Sequence, residues 1–125
     1  MRVADSSFIV EALLKRKELF QEDFLVTVDL AVYESVNSIW KHQFLIKDLN
    51  DGLPYVSVLY GFIESGRIRA IHPGEGLMRR GYSLAAKNKL SIYDAISVAL
   101  ALELDLELAT FDKRQAELMR DETGK

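Results

Sequence analysis

Length, composition and charge already narrow what this chain can be. Its 125 residues are the usual size of one domain, and we expect a single domain over residues 1–125. The 16 basic and 19 acidic side chains give a net charge of -3, which argues against a protein that holds nucleic acid mainly through a basic surface. Cysteine is absent, which excludes a disulfide scaffold, a thiolate zinc site and a cysteine nucleophile.

The chain alternates between strand and helix patterns, which is typical of an α/β protein with a parallel sheet. Strands are predicted at residues 2–5, 24–28, 67–71 and 107–110. Helices are predicted at residues 8–15, 30–44, 53–65, 75–87, 91–104 and 113–120. Ser6 and Ser7 are predicted to cap the first helix, and Gly81 is predicted to break the fourth. Residues 119–125 are too short and too polar to supply a further strand convincingly.

The segment at residues 91–104 is the clearest helix in the chain. Ser91 and Asp94 form a capping-box pattern before a body that is apolar nearly all round, so this helix is predicted to be buried. The mainly apolar run at residues 92–102 is only about half of a membrane span. No apolar signal core follows the start of the chain, and we therefore expect a cytoplasmic protein without membrane contact.

Several common kinds of site are missing from the sequence. No glycine-rich loop that could cradle a phosphate is present, since the nearest pattern, Gly74-x-Gly76-x-x-Arg79, lacks its third glycine. The two histidines, His42 and His72, lie in different predicted elements with no obvious acid or nucleophile beside them. A histidine metal site and a serine–histidine–aspartate triad are therefore not expected, and locally bonded or solvated histidines are.

Four acidic residues are candidates for chemistry. Asp5 ends the first strand, Glu34 lies in the early turns of the helix after the second strand, and Asp112 closely follows the last strand. The carboxyl ends of parallel strands and the starts of the following helices share one edge of the sheet, so these three acids point to one place. Asp94 is the only charged residue in its apolar run and needs a compensating partner, but periodicity does not place it at that edge.

Each of the four acids also has a simpler structural explanation. Asp5 suits a turn after a strand, Glu34 an exposed helix position, and Asp94 a capping box. Asp112 suits the N-cap of the last helix, with Gln115 completing a second box. If the four do meet, their mutual repulsion raises the pKa of each, and divalent cations relieve it. Oxygen ligands without histidine or cysteine favour Mg²⁺ or Mn²⁺, and such sites usually work on phosphates.

Four segments in series resemble a known family. They are Val3-Ala4-Asp5-Ser6-Ser7, the helix at residues 33–41 with Asn37 three positions after Glu34, the helix at residues 90–101 around Asp94, and Leu108-Ala109-Thr110-Phe111-Asp112. In this order and spacing the chain resembles the PIN-domain ribonucleases, and within them the VapC-type toxins of prokaryotic toxin–antitoxin pairs. Each motif is weak alone, but the four together cover nearly the whole chain.

The resemblance implies a fold, an activity and partners. The fold is a three-layer α/β/α sandwich with a mainly parallel sheet of four or five strands, which also places Asp94 with the other acids. The activity is cleavage of RNA with Mg²⁺ or Mn²⁺, and the implied partners are a VapB-type antitoxin and a second copy of the chain in a homodimer. The implied metal-binding and catalytic residues are Asp5, Glu34, Asp94 and Asp112, with Ser6, Thr110 and Asn37 in support.

Two further expectations concern RNA contacts and other functions. The basic pairs Arg79-Arg80 and Lys113-Arg114 are candidates for weak contacts to RNA phosphates, of which Arg79, Arg80 and Lys113 are preferred, although solvated surface is the commoner role of such pairs. The alternatives to a ribonuclease are a catalytically silent PIN-like binding module and, on an unrelated α/β fold, a domain with a nucleophilic aspartate that receives a phosphoryl group.

Overall fold

The computed structural model describes residues 1–124, and in it strands and helices alternate as the sequence predicts. The strands are β1 Arg2–Ala4, β2 Leu25–Val28, β3 Ile68–Ile71 and β4 Leu108–Ala109. The helices are α1 Ser6–Leu14, α2 Leu19–Glu22, α3 Asp29–Lys41, α4 Leu53–Glu64, α5 Glu75–Asn88, α6 Ile92–Leu104 and α7 Lys113–Thr123. A π-helical turn, His42–Ile46, extends α3.

The strands form one parallel sheet in the order β3-β2-β1-β4. Val3 of β1 is paired with Val26 of β2 on one side and with Leu108 of β4 on the other. All four residues of β2 are buried, as expected for a strand inside a parallel sheet covered on both faces. Within residues 1–124 the sheet has four strands, and most of the stretch at 119–125 belongs to α7.

Helices cover both faces of the sheet, which confirms the predicted three-layer α/β/α sandwich. Side chains alternate between the two faces along each strand, so Val3 packs with α5, α6 and α7 while Ala4 packs with α1 to α4. Helix α6 is the central element of the first layer, and its residues 95–101 are all buried, as predicted. No helix within the described part of the chain is both long and apolar enough to cross a membrane.

Three local predictions were wrong or incomplete. Asp5, rather than Ser6 or Ser7, is the N-cap of α1, because its carboxylate accepts a hydrogen bond from the Phe8 amide. The short helix α2 was not predicted, since four residues carry too little periodicity to be recognised. The helix predicted at 30–44 is α-helical only to Lys41, and the π-helical turn then continues to Ile46.

Gly81 does not break its helix. Helix α5 runs without interruption from Glu75 to Asn88, and Gly81 is buried where α5 packs against α6. A Cβ atom at this position would lie 2.9 Å from Cδ1 of Ile96 and 3.2 Å from Cδ1 of Ile92. The glycine therefore serves close packing between two helices rather than a change of chain direction.

Candidate functional site

The strand order locates the expected ligand-binding edge. The chain adds β2 and β3 on one side of β1 and β4 on the other, so the order reverses between β1 and β4. In open α/β sheets, ligands bind at the carboxyl ends of the strands next to such a reversal. Asp5 directly follows β1, whereas Thr110 and Asp112 follow β4, so the structure brings these three predicted residues to this crevice.

Asp5 is a buried carboxylate held by neutral donors. It is 3% exposed, and its Oδ1 accepts hydrogen bonds from the Phe8 amide at 3.0 Å and from the Ser7 hydroxyl at 2.7 Å. Its Oδ2 accepts a hydrogen bond from the Thr110 hydroxyl. Burial raises the pKa of Asp5, the hydrogen bonds partly offset that rise, and the nearby Asp112 carboxylate adds to it. The carboxylate is thus firmly oriented while its charge stays poorly compensated.

Ser7, the residue after the predicted Ser6, supplies the hydroxyl that bonds Asp5, and a role for Ser6 stays a prediction. Ser7 also accepts a hydrogen bond from the Phe111 amide at 2.9 Å, so it joins the start of α1 to the segment after β4. Ser6 is the first residue of α1 and is half-buried, and no hydrogen bond joins its side chain to the acids in the described structure. The sequence could have indicated Ser7, because a hydroxyl two residues after an N-cap aspartate can hydrogen-bond the carboxylate of that aspartate.

Asp112 caps α7 while facing the same crevice. Its carboxylate accepts hydrogen bonds from the amides of Arg114 at 2.9 Å and Gln115 at 3.1 Å, and its own amide donates to the Thr110 hydroxyl at 2.9 Å. The predicted reciprocal bond from Gln115 is not formed, since the Asp112 amide is already engaged. Capping and a role in the site are compatible, because a second carboxylate oxygen stays available.

Glu34 connects the remaining acids. It lies in the second turn of α3 and is half-buried. Burial raises the pKa of Glu34, and repulsion from the Asp94 and Asp5 carboxylates raises it further. The Asp112 carboxylate in turn raises the pKa of Asp5. Arg114 hydrogen-bonds Asp112 through its backbone amide and Asp94 through its guanidinium, so Asp94, which sequence periodicity could not place, lies near the edge where Asp112 lies.

Asp94 has a charged partner that the sequence argument did not identify. Its amide donates to the Ser91 hydroxyl at 3.2 Å, which is the predicted cap of α6. Its carboxylate Oδ2 accepts a hydrogen bond from the guanidinium of Arg114, on α7, at 3.2 Å. This arginine is the compensating group that an aspartate beside the core requires. Only tertiary structure could reveal it, because the two residues belong to different helices.

The other predicted site residues are not joined to the acids. Asn37 is exposed, one turn after Glu34, and lines an apolar groove between α3 and α4 with Trp40 and Tyr60. Arg79 is exposed on α5, and its guanidinium nitrogen Nη1 lies 3.7 Å from Oε2 of Glu75 on the same helix. Arg80 and Lys113 are exposed to solvent. No contact measured in the structure assigns these four residues a role, so their roles stay predictions.

Both histidines are locally bonded, as predicted. Nδ1 of His42 lies 2.9 Å from Oδ1 of Asp48 in the segment that follows the π-helical turn. Nδ1 of His72 lies 2.6 Å from Oδ2 of Asp29, at the start of α3. Each imidazole is therefore oriented by an aspartate outside the acidic quartet.

The donor set suits a hard divalent cation. Carboxylate oxygens without histidine or cysteine favour Mg²⁺ or Mn²⁺, and the buried Asp5 and the half-buried Glu34 have no salt-bridge partner among the described residues. Within residues 1–124, no three acidic or histidine side chains lie close enough together in this structure to bind one metal ion. Mg²⁺ usually takes one or two carboxylates and keeps several waters, so a looser arrangement is compatible with it.

The structure is an α/β sandwich with acidic side chains near the carboxyl edge of its parallel sheet. Residues 2–120 match the PIN domain family. The chain is also 31% identical over 99 residues to Ribonuclease VapC3 of Pyrobaculum aerophilum, across 78% of this chain and 72% of that protein. This chain belongs to the PIN-domain family.

Two solved structures have the same fold. PAE2754 from Pyrobaculum aerophilum superimposes with a TM-score of 0.77 at 17% identity, over 95% of this chain and 84% of that one. VapC20 of Mycobacterium tuberculosis, a toxin that cleaves the sarcin–ricin loop, superimposes with a TM-score of 0.72 at 15% identity, over 94% of each chain. At such identities the likeness establishes the shared architecture alone.

Proposed function

We propose that this protein is a Mg²⁺- or Mn²⁺-dependent endoribonuclease and the toxin of a VapBC-type toxin–antitoxin pair. The observation that carries the proposal is the convergence of Asp5, Glu34, Asp94 and Asp112 from four separate elements on the crevice beside β1 and β4. Membership of the PIN-domain family and the similarity to Ribonuclease VapC3 support the same activity. In this proposal the four acids are the metal-binding and catalytic residues.

In this proposal some residues of the crevice would bind the cation, and others orient the carboxylates that bind it. A divalent cation held by these carboxylates would supply positive charge that stabilises the negative charge developing on the scissile phosphate. Ser7 and Thr110 fix the Asp5 carboxylate from two sides, so this ligand is oriented before a cation arrives. Glu34 adds a second, poorly compensated carboxylate from α3. Asn37, one turn further along, is proposed to contact RNA at the margin of the site.

The proposed partners are RNA, a VapB-type antitoxin and a second copy of the chain, acting in the cytoplasm. Exposed apolar side chains after Asn37 support at least one protein contact. Trp40 is 48% exposed, and Phe44, Leu45 and Ile46 are 53%, 62% and 58% exposed. Apolar residues gathered on a surface in this way mark protein contacts.

Cleavage assays on a labelled RNA test the proposed activity. Wild-type protein is expected to cut RNA in Mg²⁺ or Mn²⁺ and to stop in EDTA. Asp5→Asn and Asp94→Asn are each expected to lower the rate about 100-fold or more, because a metal ligand is lost. Glu103→Gln is the matched control, since Glu103 is an exposed acid in the last turn of the same helix as Asp94. Cleavage that survives both EDTA and the two substitutions would contradict the proposal.

One observation favours the catalytically silent binding module instead. Asp94 is paired with Arg114, and the described acids do not enclose an ion as they stand. Mn²⁺ binding without cleavage of any member of a broad RNA panel would support that function. The third alternative, an aspartate that receives a phosphoryl group, required an unrelated fold and is removed by membership of the PIN-domain family.

A further inference from the structure

Arg114 occupies a distinctive position among the basic residues of this chain. Its guanidinium lies 3.2 Å from Oδ2 of Asp94, while its backbone amide donates to Oδ1 of Asp112 at 2.9 Å. One residue thus contacts two of the four acids, which belong to α6 and to the start of α7. The guanidinium is therefore a positive charge beside one acid of the proposed metal site, supplied by the protein itself.

The ion pair between Arg114 and Asp94 is open to solvent. The side chain of Arg114 is 66% exposed and that of Asp94 is 25% exposed. Ion pairs this open to water contribute little, because solvent screens them and two side chains must be held still. A divalent cation attracts a carboxylate more strongly than a single guanidinium does. A bound cation therefore competes with Arg114 for the Asp94 carboxylate and favours breaking the ion pair.

We propose that Arg114 is the internal counter-ion of this site and exchanges Asp94 for an RNA phosphate when a divalent cation binds. The inference rests on the proposed ribonuclease function. Once released, the guanidinium still lies at the N-terminal end of α7, beside the acids and open to solvent. Guanidinium groups bind phosphate oxygens in a planar, two-pronged manner, so Arg114 suits a phosphate next to the one that is cut. Arg114 is therefore a positioning residue for Asp94 without metal and a substrate-binding residue with it.

The first test measures Mn²⁺ affinity without RNA, by calorimetry or by electron paramagnetic resonance of free Mn²⁺. Arg114→Gln is expected to bind Mn²⁺ about two- to fivefold more tightly than wild type, because an exposed ion pair no longer competes for Asp94. Arg120→Gln is the matched control, as it removes the same charge near the other end of α7. Equal or weaker Mn²⁺ binding by Arg114→Gln than by the control would overturn the proposal.

The second test measures RNA affinity with and without a cation. In Ca²⁺, with a gel confirming that a fluorescent RNA stays intact, Arg114→Gln is expected to weaken binding about three- to tenfold. In EDTA the same substitution is expected to have at most a twofold effect, because Asp94 then holds the guanidinium. An equal loss under both conditions would overturn the exchange.

These outcomes are separate from those that test the proposed function. If wild-type protein cleaves RNA with Mg²⁺ while Arg114→Gln behaves like Arg120→Gln in both binding tests, the ribonuclease proposal stands and the exchange is wrong. If wild-type protein binds neither Mn²⁺ nor Mg²⁺, both proposals are wrong. Arg114→Lys keeps the charge without the planar group and is expected to fall between wild type and Arg114→Gln in RNA affinity.

Discussion

Glu34 carries a charge that the fold alone leaves poorly compensated. Burial and the neighbouring acids raise its pKa, so the folded chain holds this proton to a higher pH than the unfolded chain does. Stability therefore falls as the pH rises from the ordinary glutamate pKa through the raised folded pKa, and the loss is complete above it. The proposed metal site is thus a source of instability in the absence of metal.

The substitution Glu34→Gln tests this penalty. In EDTA at pH 7 the variant is expected to unfold at a higher urea concentration than wild type, because an uncharged amide replaces the repelled carboxylate. At pH values below the ordinary glutamate pKa the difference is expected to shrink towards zero, since both states of wild type are then protonated. Added Mn²⁺ is expected to stabilise wild type more than the variant. A variant that is less stable than wild type at pH 7 without metal would show that repulsion is not the dominant effect.

The sequence could predict individual site residues only where backbone topology determines position. Asp5 and Asp112 follow strands, and the strand-end rule placed them correctly at one edge. Asp94 needed the family resemblance, because its helix start cannot be located from periodicity. Arg114 was not assigned to the acidic site, because its contact with Asp94 joins side chains from different helices. Ser7 was also not assigned, although its spacing from Asp5 allows the bond that the structure shows.

The packing of whole helices also depends on tertiary contacts that the sequence pattern does not reveal. The apolar period predicted α6 and its burial, but it could not distinguish a glycine that breaks a helix from one that lets two helices approach. Gly81 is of the second kind, and only the position of Ile96 on the partner helix reveals it. The π-helical turn after α3 likewise carries no period of its own in the sequence.

Because Gly81 lies at the contact between α5 and α6, we expect substitutions of Gly81 and of Gly61 to change the free energy of unfolding differently. Gly81→Leu is expected to lower the free energy of unfolding by about 1–3 kcal/mol, because the larger side chain overpacks against Ile92 and Ile96. Gly61→Leu on α4 meets no atom within 4 Å of its Cβ, so it is expected to stabilise by up to about 1 kcal/mol through helix propensity. Urea unfolding of both variants measures the difference, and equal effects would contradict the packing role of Gly81.

The proposed site changes how the net charge of the molecule is interpreted. A net charge of -3 argued against holding nucleic acid mainly through a basic surface. If the four acids of the crevice are set aside, however, the basic side chains outnumber the acidic ones by one. The excess of acid is thus concentrated where a divalent cation would neutralise it. RNA binding is then expected to depend on the metal and on a few local arginines and lysines rather than on overall charge.

The salt dependence of RNA binding tests this distribution of charge. With single-stranded RNA in Ca²⁺, the logarithm of affinity is expected to fall against the logarithm of salt with a slope between about -1 and -3, because each phosphate contact contributes about -0.7. The double variant Arg79→Gln and Arg80→Gln is expected to make the slope shallower by up to about 1.4 if both residues contact phosphates, and to leave it unchanged if they are only solvated. Arg114→Gln is expected to make the slope shallower by about 0.7 in Ca²⁺ and to leave it unchanged in EDTA. A wild-type slope steeper than about -5 would instead indicate an extended basic surface, which the composition of this chain argues against.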